Sequence, residues 1–480
     1  MNRAVMLVKW IITIQEIIMP IWPPAKGTLK RPAYRSLALC VADAVAAGEL
    51  KPGTRLPPHR TLAFDLGLSV QTVSRAYEEL ARLGIVSGEV GRGSFVRAVS
   101  ADPRTPWHRI DGADRVVDLS MLTPALSKTH ARRFSSSLAE VAGSLPDAAI
   151  TSFRPTATLA GHVDAAARWL AACGVEAGRE RIVPTNGSTG ALTIGLLTAA
   201  APGDMIAAEA VSHHTLKALT AALGMRLTGL AMDGEGMVPD ALDRACRTGP
   251  VKAIFLMPEG LGPLAARMGE ARRREIIAIC RRHDVSIVEN DSWGPLQPDR
   301  PPPLAALAPE RTFYATGLTK CGVPGLRIGW LVSPERQATA ARTRHLVLNW
   351  MATAVMAEVA TRWLKDGTAS ELVRWQRAAM TARNRVAARF LGADRIRATT
   401  SGLHVWLPLP PAWREEDFVS LARHRDVAVA GGSAFTIAGD AHVSGVRLCL
   451  GAPGEKDLER GLKILARLVE GAPEHAHLAY

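Results

Sequence analysis

The chain reads Thr319-Lys320-Cys321-Gly322-Val323-Pro324-Gly325-Leu326-Arg327-Ile328-Gly329-Trp330 directly after a strand-like apolar run, residues 311–316. Lys320 therefore stands where a strand gives way to a loop punctuated by glycine and proline. Partial burial of such a lysine lowers its pKa, and the neutral amine that results can attack a carbonyl carbon. Arg327 follows in the same loop and offers a planar fork suited to a phosphate group.

A Schiff-base lysine with a phosphate ligand nearby is what pyridoxal 5'-phosphate requires. The segment around Lys320 and Arg327 resembles the cofactor-lysine region of fold-type-I aminotransferases. The resemblance implies that Lys320 is the catalytic residue holding pyridoxal phosphate as a Schiff base. It also implies that Thr319 and Arg327 contact the cofactor.

A second pattern lies near the N-terminus. Apolar spacing predicts a helix over residues 34–45, a short helix over 58–66 and a third helix that Ser69 caps and that runs to Leu80. Gly67 makes the tight turn between the last two, which is the organisation of a helix-turn-helix. Residues 56–96 as a whole resemble the GntR-type winged helix-turn-helix. In this order, the two resemblances are typical of MocR/GabR-like transcriptional regulators.

The predicted DNA contacts come from the recognition helix, the preceding segment and the wing. They are Arg55, Arg60, Ser69, Gln71, Thr72, Arg75 and Gly93. Arginines suit phosphates, and the small hairpin tip at 91–93 suits the minor groove. Relatives often carry an arginine directly after the serine that opens the recognition helix. Val70 stands there and could touch only a thymine methyl group, so the family does not predict the operator.

Beyond the winged helix, helical segments alternate with short apolar runs, which predicts an α/β fold with a largely parallel central sheet. We predict an N-terminal extension (1–24), a GntR-type DNA-binding domain (25–97), a polar linker (98–115) and an aminotransferase-like domain (116–475). Ligands of such sheets bind beyond the carboxyl ends of the strands. Three further cofactor segments are expected at that edge.

The first of these is Gly187-Ser188-Thr189, a small-residue turn that opens a helix and suits a phosphate. The second holds Asp291, which the resemblance places on the cofactor's ring nitrogen; a shift of one residue would put Asn290 there. The third holds His213, or alternatively His214, expected to stack on the ring. Arg447, on a predicted C-terminal strand, is expected to bind the carboxylate of an effector because its fork allows bidentate contact.

The chain departs from the family at several cofactor contacts. Trp293 stands where a tyrosine contacts the cofactor's phenolic oxygen, and an indole cannot ionise. Gly262 replaces an asparagine that hydrogen-bonds the cofactor. We therefore expect any transaminase activity to be weak, while Lys320, the phosphate site and Asp291 keep cofactor binding in place.

Composition sets the cellular context. The 480 residues carry a formal charge of +13, which favours a polyanionic partner. The six cysteines form no CxxC pair or metal-ligand spacing, so we expect a reduced cytoplasmic protein without a bound metal. Residues 6–20 are too short and too polar to span a membrane. Residues 19–22 look like the family's usual beginning, so residues 1–18 are expected to be an upstream extension or the result of a misassigned start.

Together these features predict a transcriptional regulator that binds double-stranded DNA. It is expected to sense an amino acid, an amine or pyridoxal phosphate itself through an aldimine at Lys320. The resemblance implies a domain-swapped homodimer. Two alternatives remain open at this point. One is an active pyridoxal-phosphate-dependent aminotransferase with a vestigial DNA-binding arm. The other is a DNA-binding protein whose pocket has lost the cofactor, for which Gly262 and Trp293 are the best support.

Overall fold

A computed structural model describes most of the chain. The described residues are 23–24, 29, 31–46, 49–51, 53–82, 85–89, 93–96, 116–145, 147, 155–437 and 443–471. The predicted extension up to residue 22, the predicted linker at 98–115 and the hairpin-tip residues Gly91 and Arg92 lie outside these ranges. The chain divides into two compact units, residues 1–108 and 109–480.

The first unit contains three helices and a hairpin. They are α1 (Ala33–Ala46), α2 (His59–Leu66), α3 (Val70–Arg82), β1 (Val86–Glu89) and the antiparallel β2 (Gly93–Val96). Gly67 ends α2 in the left-handed region at φ 66°, where a side chain is disfavoured. Ser69 Oγ accepts the Thr72 N–H at 3.1 Å and so caps α3. Leu37, Val73 and Leu80 lie fully buried between the helices. The predicted helix-turn-helix is confirmed.

The second unit alternates strands and helices. Its helices are α4 (Lys128–Ala142), α5 (Pro155–Ala172), α6 (Gly187–Ala199), α7 (Leu216–Ala222), α8 (Pro239–Thr248), α9 (Glu270–Arg282), α10 (Leu304–Leu307), α11 (Ala338–Asn349), α12 (Ala354–Lys365), α13 (Thr368–Leu391), α14 (Glu415–His424) and α15 (Glu455–Glu470). Its strands are β3 (Val117–Asp118), β4 (Ile182–Thr185), β5 (Met205–Glu209), β6 (Arg226–Leu230), β7 (Met232–Asp233), β8 (Gly236–Met237), β9 (Val251–Leu256), β10 (Ser286–Asn290), β11 (Thr312–Gly317), β12 (Gly329–Val332), β13 (Arg397–Ala398), β14 (His404–Pro408), β15 (Val427–Ala428), β16 (Ala430–Gly431) and β17 (Gly445–Cys449).

The central sheet has seven strands in the order β4-β12-β11-β10-β9-β5-β6. Successive side chains of each strand point to opposite faces of the sheet, and both faces are covered by apolar clusters. Phe255 and Val288 belong to one apolar cluster, whereas Ile254 and Ile287 belong to another. Six strands run in one direction, which confirms the predicted α/β fold with a mostly parallel sheet.

The exception is β12, which pairs antiparallel with both β11 and β4. The turn that causes this is the loop of residues 318–328, which carries Lys320. Because the loop reverses the chain without a crossover helix, the next strand returns beside β11 in the opposite direction. The loop is therefore fixed at both of its ends by the central sheet.

A smaller antiparallel sheet in the order β13-β14-β17-β16 forms near the C-terminus. Leu458, Leu462 and Leu465 recur at helical spacing on α15 and are buried, so this helix packs by one apolar face. Trp406 of β14 lies directly opposite Arg447 of β17. Among the described residues, no helix combines the length and apolarity needed to cross a membrane.

Candidate functional site

Three loops of the second unit meet at one edge of the central sheet. Gly187 follows β4, Asp291 follows β10, and Lys320 lies beyond the end of β11. Strands β10 and β11 are parallel, and β4 runs the same way because both β4 and β11 oppose β12. The carboxyl ends of these strands therefore bring three of the predicted cofactor segments together, as expected for an α/β sheet.

Lys320 is mostly shielded from solvent, and its Nζ donates a hydrogen bond to the Leu122 carbonyl. The pKa of Lys320 is lowered to about 8, mainly by burial; Cys449 opposes this shift, and Arg447 and Arg327 add to it. A substantial fraction of this amine is neutral near neutral pH. Lys320 can therefore act as a nucleophile toward a carbonyl carbon.

Arg327 and the start of α6 form a cradle of small, charged and N–H-bearing groups. Gly187 has φ 80°, and a Cβ built on it would lie 2.9 Å from Arg327 Nη2. A Cβ on Gly329 would lie 2.8 Å from the Ser188 nitrogen. Arg327 itself adopts φ 48°, a conformation that costs a non-glycine residue about 1–2 kcal/mol. Because positions 187 and 329 carry no side chain, Arg327 and the N–H groups that open α6 stay accessible to an anion.

Several buried side-chain atoms have no hydrogen-bond partner among the described residues. Two of them, Thr319 Oγ1 and Asp291 Oδ1, lie beyond the carboxyl ends of β11 and β10. Buried polar atoms normally find a partner, so unpaired ones indicate a place for a bound group. Ser188 is half-buried, whereas the Thr189 side chain is exposed.

Asp291 is held by neighbours that the sequence did not indicate. Its Oδ2 accepts a hydrogen bond from the Tyr314 hydroxyl at 2.5 Å and an ion-paired hydrogen bond from Arg300 Nη1. The alternative ligand, Asn290, uses its Oδ1 to accept a 2.6 Å hydrogen bond from Ser292 Oγ. Among the described residues at the end of β10, Asp291 therefore offers a carboxylate oxygen, Oδ1, that has no hydrogen-bond partner.

Trp293 is fully buried, and its Nε1 donates to the Glu259 carbonyl at 3.1 Å. Its ring stacks on His404 with centroids 5.7 Å apart. Because the single indole N–H already has a partner, Trp293 cannot donate to a bound ligand without breaking that bond. The sequence predicted Trp293 as a cofactor contact; the structure leaves it only its ring for that contact.

His213 and His214 stack on each other with ring centroids 4.4 Å apart. Burial, then Lys320 and Arg447, lower the pKa of His213 to about 3. Burial, then His213, Arg447 and Lys320, lower the pKa of His214 to about 2. Both imidazoles are therefore neutral at physiological pH, and a neutral imidazole can lie against the ring of a bound ligand.

Arg447 is 5% exposed, although it lies on a strand of the smaller sheet. Its Nη2 donates to the Ser120 carbonyl at 2.9 Å, and its Cζ lies 4.5 Å from the Phe435 ring centroid. Its Nε has no partner among the described residues. The structure therefore brings a fixed, partly unsatisfied guanidinium into the electrostatic neighbourhood of Lys320.

The sequence did not indicate Arg300, Tyr314 or the carbonyls of Ser120 and Leu122. Arg300 sits in a proline-rich loop with no motif around it, and Tyr314 occupies an ordinary strand position. A backbone carbonyl carries no residue identity at all. Proximity to Asp291 in space is the signal for the first two, and it exists only in the folded chain.

The predicted DNA contacts of the first unit gather around α3 and the hairpin. Gln71 and Arg75 are exposed on α3, and Arg55 and Arg60 are exposed ahead of it. Arg75 Cζ lies 4.5 Å from the ring centroid of Tyr34, which presets the orientation of its side chain. The remaining three predicted residues are Ser69 and Thr72, whose hydroxyls hydrogen-bond each other at 2.8 Å, and Gly93, whose α-carbon lies against Arg55.

Comparison with protein families gives two matches in this chain. Residues 33–96 match the family "Bacterial regulatory proteins, gntR family", and residues 135–465 match "Aminotransferase class I and II". Among solved structures, an archaeal alanine:glyoxylate aminotransferase is similar to this chain with a TM-score of 0.67 and 22% sequence identity. The match covers 74% of this chain and 91% of the aminotransferase. The kynurenine aminotransferase of Pyrococcus horikoshii gives the same four figures. At this identity the likeness establishes the fold.

The chain is also similar to curated transcriptional regulators. The chain is 26% identical over 463 residues to the HTH-type transcriptional regulator YdeF of Bacillus subtilis, spanning 94% of this chain and 97% of YdeF. It is 26% identical over 397 residues to the pyridoxine biosynthesis transcriptional regulator PdxR of Corynebacterium glutamicum, spanning 76% and 80%. It is 28% identical over 332 residues to the probable rhizopine catabolism regulatory protein MocR of Rhizobium meliloti, spanning 64% and 66%.

Proposed function

The chain belongs to the aminotransferase class I and II family and carries a gntR-family regulatory domain ahead of it, the combination found in MocR-type regulators, and on that premise we propose that it regulates transcription in response to a ligand bound at Lys320. The proposal is carried by the meeting, at one edge of the sheet, of a partly neutral lysine, a glycine-lined cradle beside Arg327 and a carboxylate oxygen without a partner among the described residues. We place the protein in the cytoplasm, where its DNA partner lies.

The residues of this site fit pyridoxal 5'-phosphate. Lys320 would hold its carbonyl carbon, Arg327 and the start of α6 its phosphate, and Asp291 its ring nitrogen. Thr319 Oγ1 would contact the bound group, and His213 would cover the ring face. When bound, the cofactor supplies an electrophilic carbon that reacts reversibly with amines.

Arg447 would bind the carboxylate of an amino-acid effector, because its guanidinium is fixed, desolvated and still has an unpaired N–H at Nε. An amine without a carboxylate, or pyridoxal phosphate itself, would act without this contact. Exchange at Lys320 would change the contacts inside the pocket, and a homodimer with exchanged domains would convey that change to DNA. Trp293 and Gly262 weaken the cofactor contacts used for turnover, so we assign the site to sensing.

The phosphate cradle predicts a steric effect. Gly329→Ala should weaken pyridoxal phosphate binding at least about tenfold, because the new Cβ would lie 2.7 Å from the Gly187 carbonyl carbon and displace the start of α6. Gly325→Ala is the matched control in the same loop, since its Cβ meets nothing within 4 Å. Equilibrium dialysis with pyridoxal phosphate and with pyridoxal measures the effect. An equal loss for both ligands would contradict a phosphate-specific cradle.

The recognition helix predicts an effect on DNA. Arg75→Ala should weaken binding to DNA selected from a random pool by the wild-type protein about tenfold or more, since an arginine contact is worth about 1–3 kcal/mol. Arg168→Ala, an exposed arginine on α5, should leave affinity unchanged. Gel-shift titrations at several salt concentrations separate the two kinds of contact. Loss of a phosphate contact lowers the dependence of affinity on salt by about one ion, whereas loss of a base contact leaves it unchanged. Equal losses for the two variants would argue against α3 as the reader.

A further inference from the structure

His404 is a buried histidine to which the proposed function gives no role. It lies on β14, is 1% exposed, and neither of its ring nitrogens has a hydrogen-bond partner among the described residues. Burial and then Arg447 lower its pKa to about 3, against an opposing effect of the Gly262 and Pro263 backbone. The ring is therefore neutral, with one N–H that can donate and one nitrogen that can accept. Buried polar groups normally have partners, so this imidazole indicates a place for one.

The register of the smaller sheet places His404 near Lys320. His404 lies directly opposite Cys449 in the antiparallel pair of β14 and β17, so the two side chains point to the same face. Arg447, two residues before Cys449 on its strand, points to that face as well. Cys449 and Arg447 both act on the pKa of Lys320. The face of the smaller sheet that carries His404 is therefore the face that borders the lysine.

The strand order of the central sheet separates the substituents of a pyridoxal ring. In that ring the carbon bearing the carbonyl group has the phosphate arm on one side and a hydroxyl group on the other. The cradle proposed for the phosphate follows β4, Lys320 follows β11 and Asp291 follows β10, in the order β4-β12-β11-β10-β9. With the phosphate at the β4 end, the hydroxyl group lies on the side of the segment that follows β9, residues 257–264.

His404 lies between two positions on that side that cannot donate a side-chain hydrogen bond to the hydroxyl oxygen. The Trp293 N–H already donates to the Glu259 carbonyl at 3.1 Å, and Gly262 has no side chain. The His404 ring stacks on Trp293, with centroids 5.7 Å apart and planes 19° apart, and the Gly262 backbone is close enough to act on its pKa. The N–H of His404 is thus available where these two residues provide none.

Building on the proposed function, we propose that the imidazole of His404 donates a hydrogen bond to the ring hydroxyl oxygen of pyridoxal phosphate. This hydroxyl group ionises readily, and a charged oxygen accepts a hydrogen bond more strongly than the neutral carbonyls of Gly262 and Pro263. In a buried site that screens charge poorly, one such donor adds substantially to affinity. Stacking on Trp293 holds the donor in place. His404 would therefore select a ring that carries the hydroxyl group.

The test uses two ligands that differ only at this oxygen. They are pyridoxal 5'-phosphate and its 3-deoxy analogue, in which hydrogen replaces the hydroxyl group, and equilibrium dialysis gives the ratio of their dissociation constants. His404→Phe keeps a ring against Trp293 and removes the donor. It should lower the preference for pyridoxal phosphate at least about tenfold relative to wild type, as expected for a lost hydrogen bond to a charged oxygen.

His345→Phe is the matched control. His345 lies on α11, is 5% exposed, and its two ring nitrogens also have no partner among the described residues. Burial alone lowers its pKa, without the effect of Arg447 that His404 shows. This substitution should therefore leave the ratio of the two dissociation constants at its wild-type value.

An unchanged ratio in His404→Phe would overturn the proposal, because a purely structural role of His404 would weaken both ligands alike. Covalent loading of wild type with pyridoxal phosphate is checked first by borohydride reduction and mass spectrometry, and its failure would count against the proposed function itself. If His404→Phe does not fold, a crystal structure of loaded wild type decides. A His404 ring nitrogen is expected within about 3.2 Å of the hydroxyl oxygen, and a separation beyond about 4 Å would overturn the proposal.

Discussion

In Lys320→Ala protein we expect no covalent uptake of pyridoxal phosphate and no visible absorption band of the bound cofactor, whereas the wild type shows both. Lys320 lies at the same edge of the sheet as the cradle that Arg327 and α6 form, and burial holds its pKa near 8. Removing the nucleophilic amine of Lys320 therefore removes the covalent bond rather than weakening it.

The measurement combines the absorption spectrum with borohydride reduction and peptide mass spectrometry. Lys252→Ala is the matched control, because Lys252 is exposed at the amino end of β9, whereas the candidate site lies at the carboxyl ends of the strands. We expect the control to keep the band and the reduced adduct to lie on the Lys320 peptide. A band that survives in Lys320→Ala would move the cofactor to another residue. Absence of a band in the wild type would support a DNA-binding protein whose pocket has lost the cofactor.

Local signals explain why much of the site could be predicted from sequence. Gly187, Asp291 and Lys320 each follow an apolar run, and the rule that ligands meet at the carboxyl ends of parallel strands brings them to one edge. The structure places all three at that edge. A motif of this kind needs only the order of residues along the chain, which the sequence states directly.

What the sequence could not predict depends on contacts between distant segments. Arg300 meets Cys173 across 127 positions, and Lys320 meets Leu122 across 198. Helix α4 begins at Lys128, where His130 Nδ1 accepts the Ser127 N–H at 3.2 Å. A histidine in place of the usual glutamate or glutamine hides this capping box from pattern analysis. The indole N–H of Trp293 likewise finds its partner only in the folded chain.

Covalent capture should depend steeply on pH below about 8. Only the neutral amine attacks the carbonyl carbon, and an amine of pKa about 8 is roughly one-tenth neutral at pH 7. The rate should therefore rise about tenfold per pH unit up to about pH 8 and level off above it. An exposed lysine would keep accelerating toward about pH 10. Stopped-flow absorption with saturating pyridoxal phosphate measures the profile, and a rise that continues past about pH 9 would contradict a desolvated Lys320.

The same lowered pKa has a consequence for stability that involves no cofactor. Lys320 binds a proton less readily in the folded state, with a pKa of about 8, than in the unfolded state, with a pKa near 10.5. Between these values the unfolded chain holds more protons, so the free energy of unfolding rises with pH, and below about 8 a constant penalty of up to about 3 kcal/mol remains. Lys320→Met, of similar length and uncharged, should therefore raise the melting temperature of cofactor-free protein at about pH 7 and progressively less toward about pH 10. Lys252→Met should give no pH-dependent difference. A Lys320→Met difference that stays constant with pH would show that Lys320 is not desolvated in the fold.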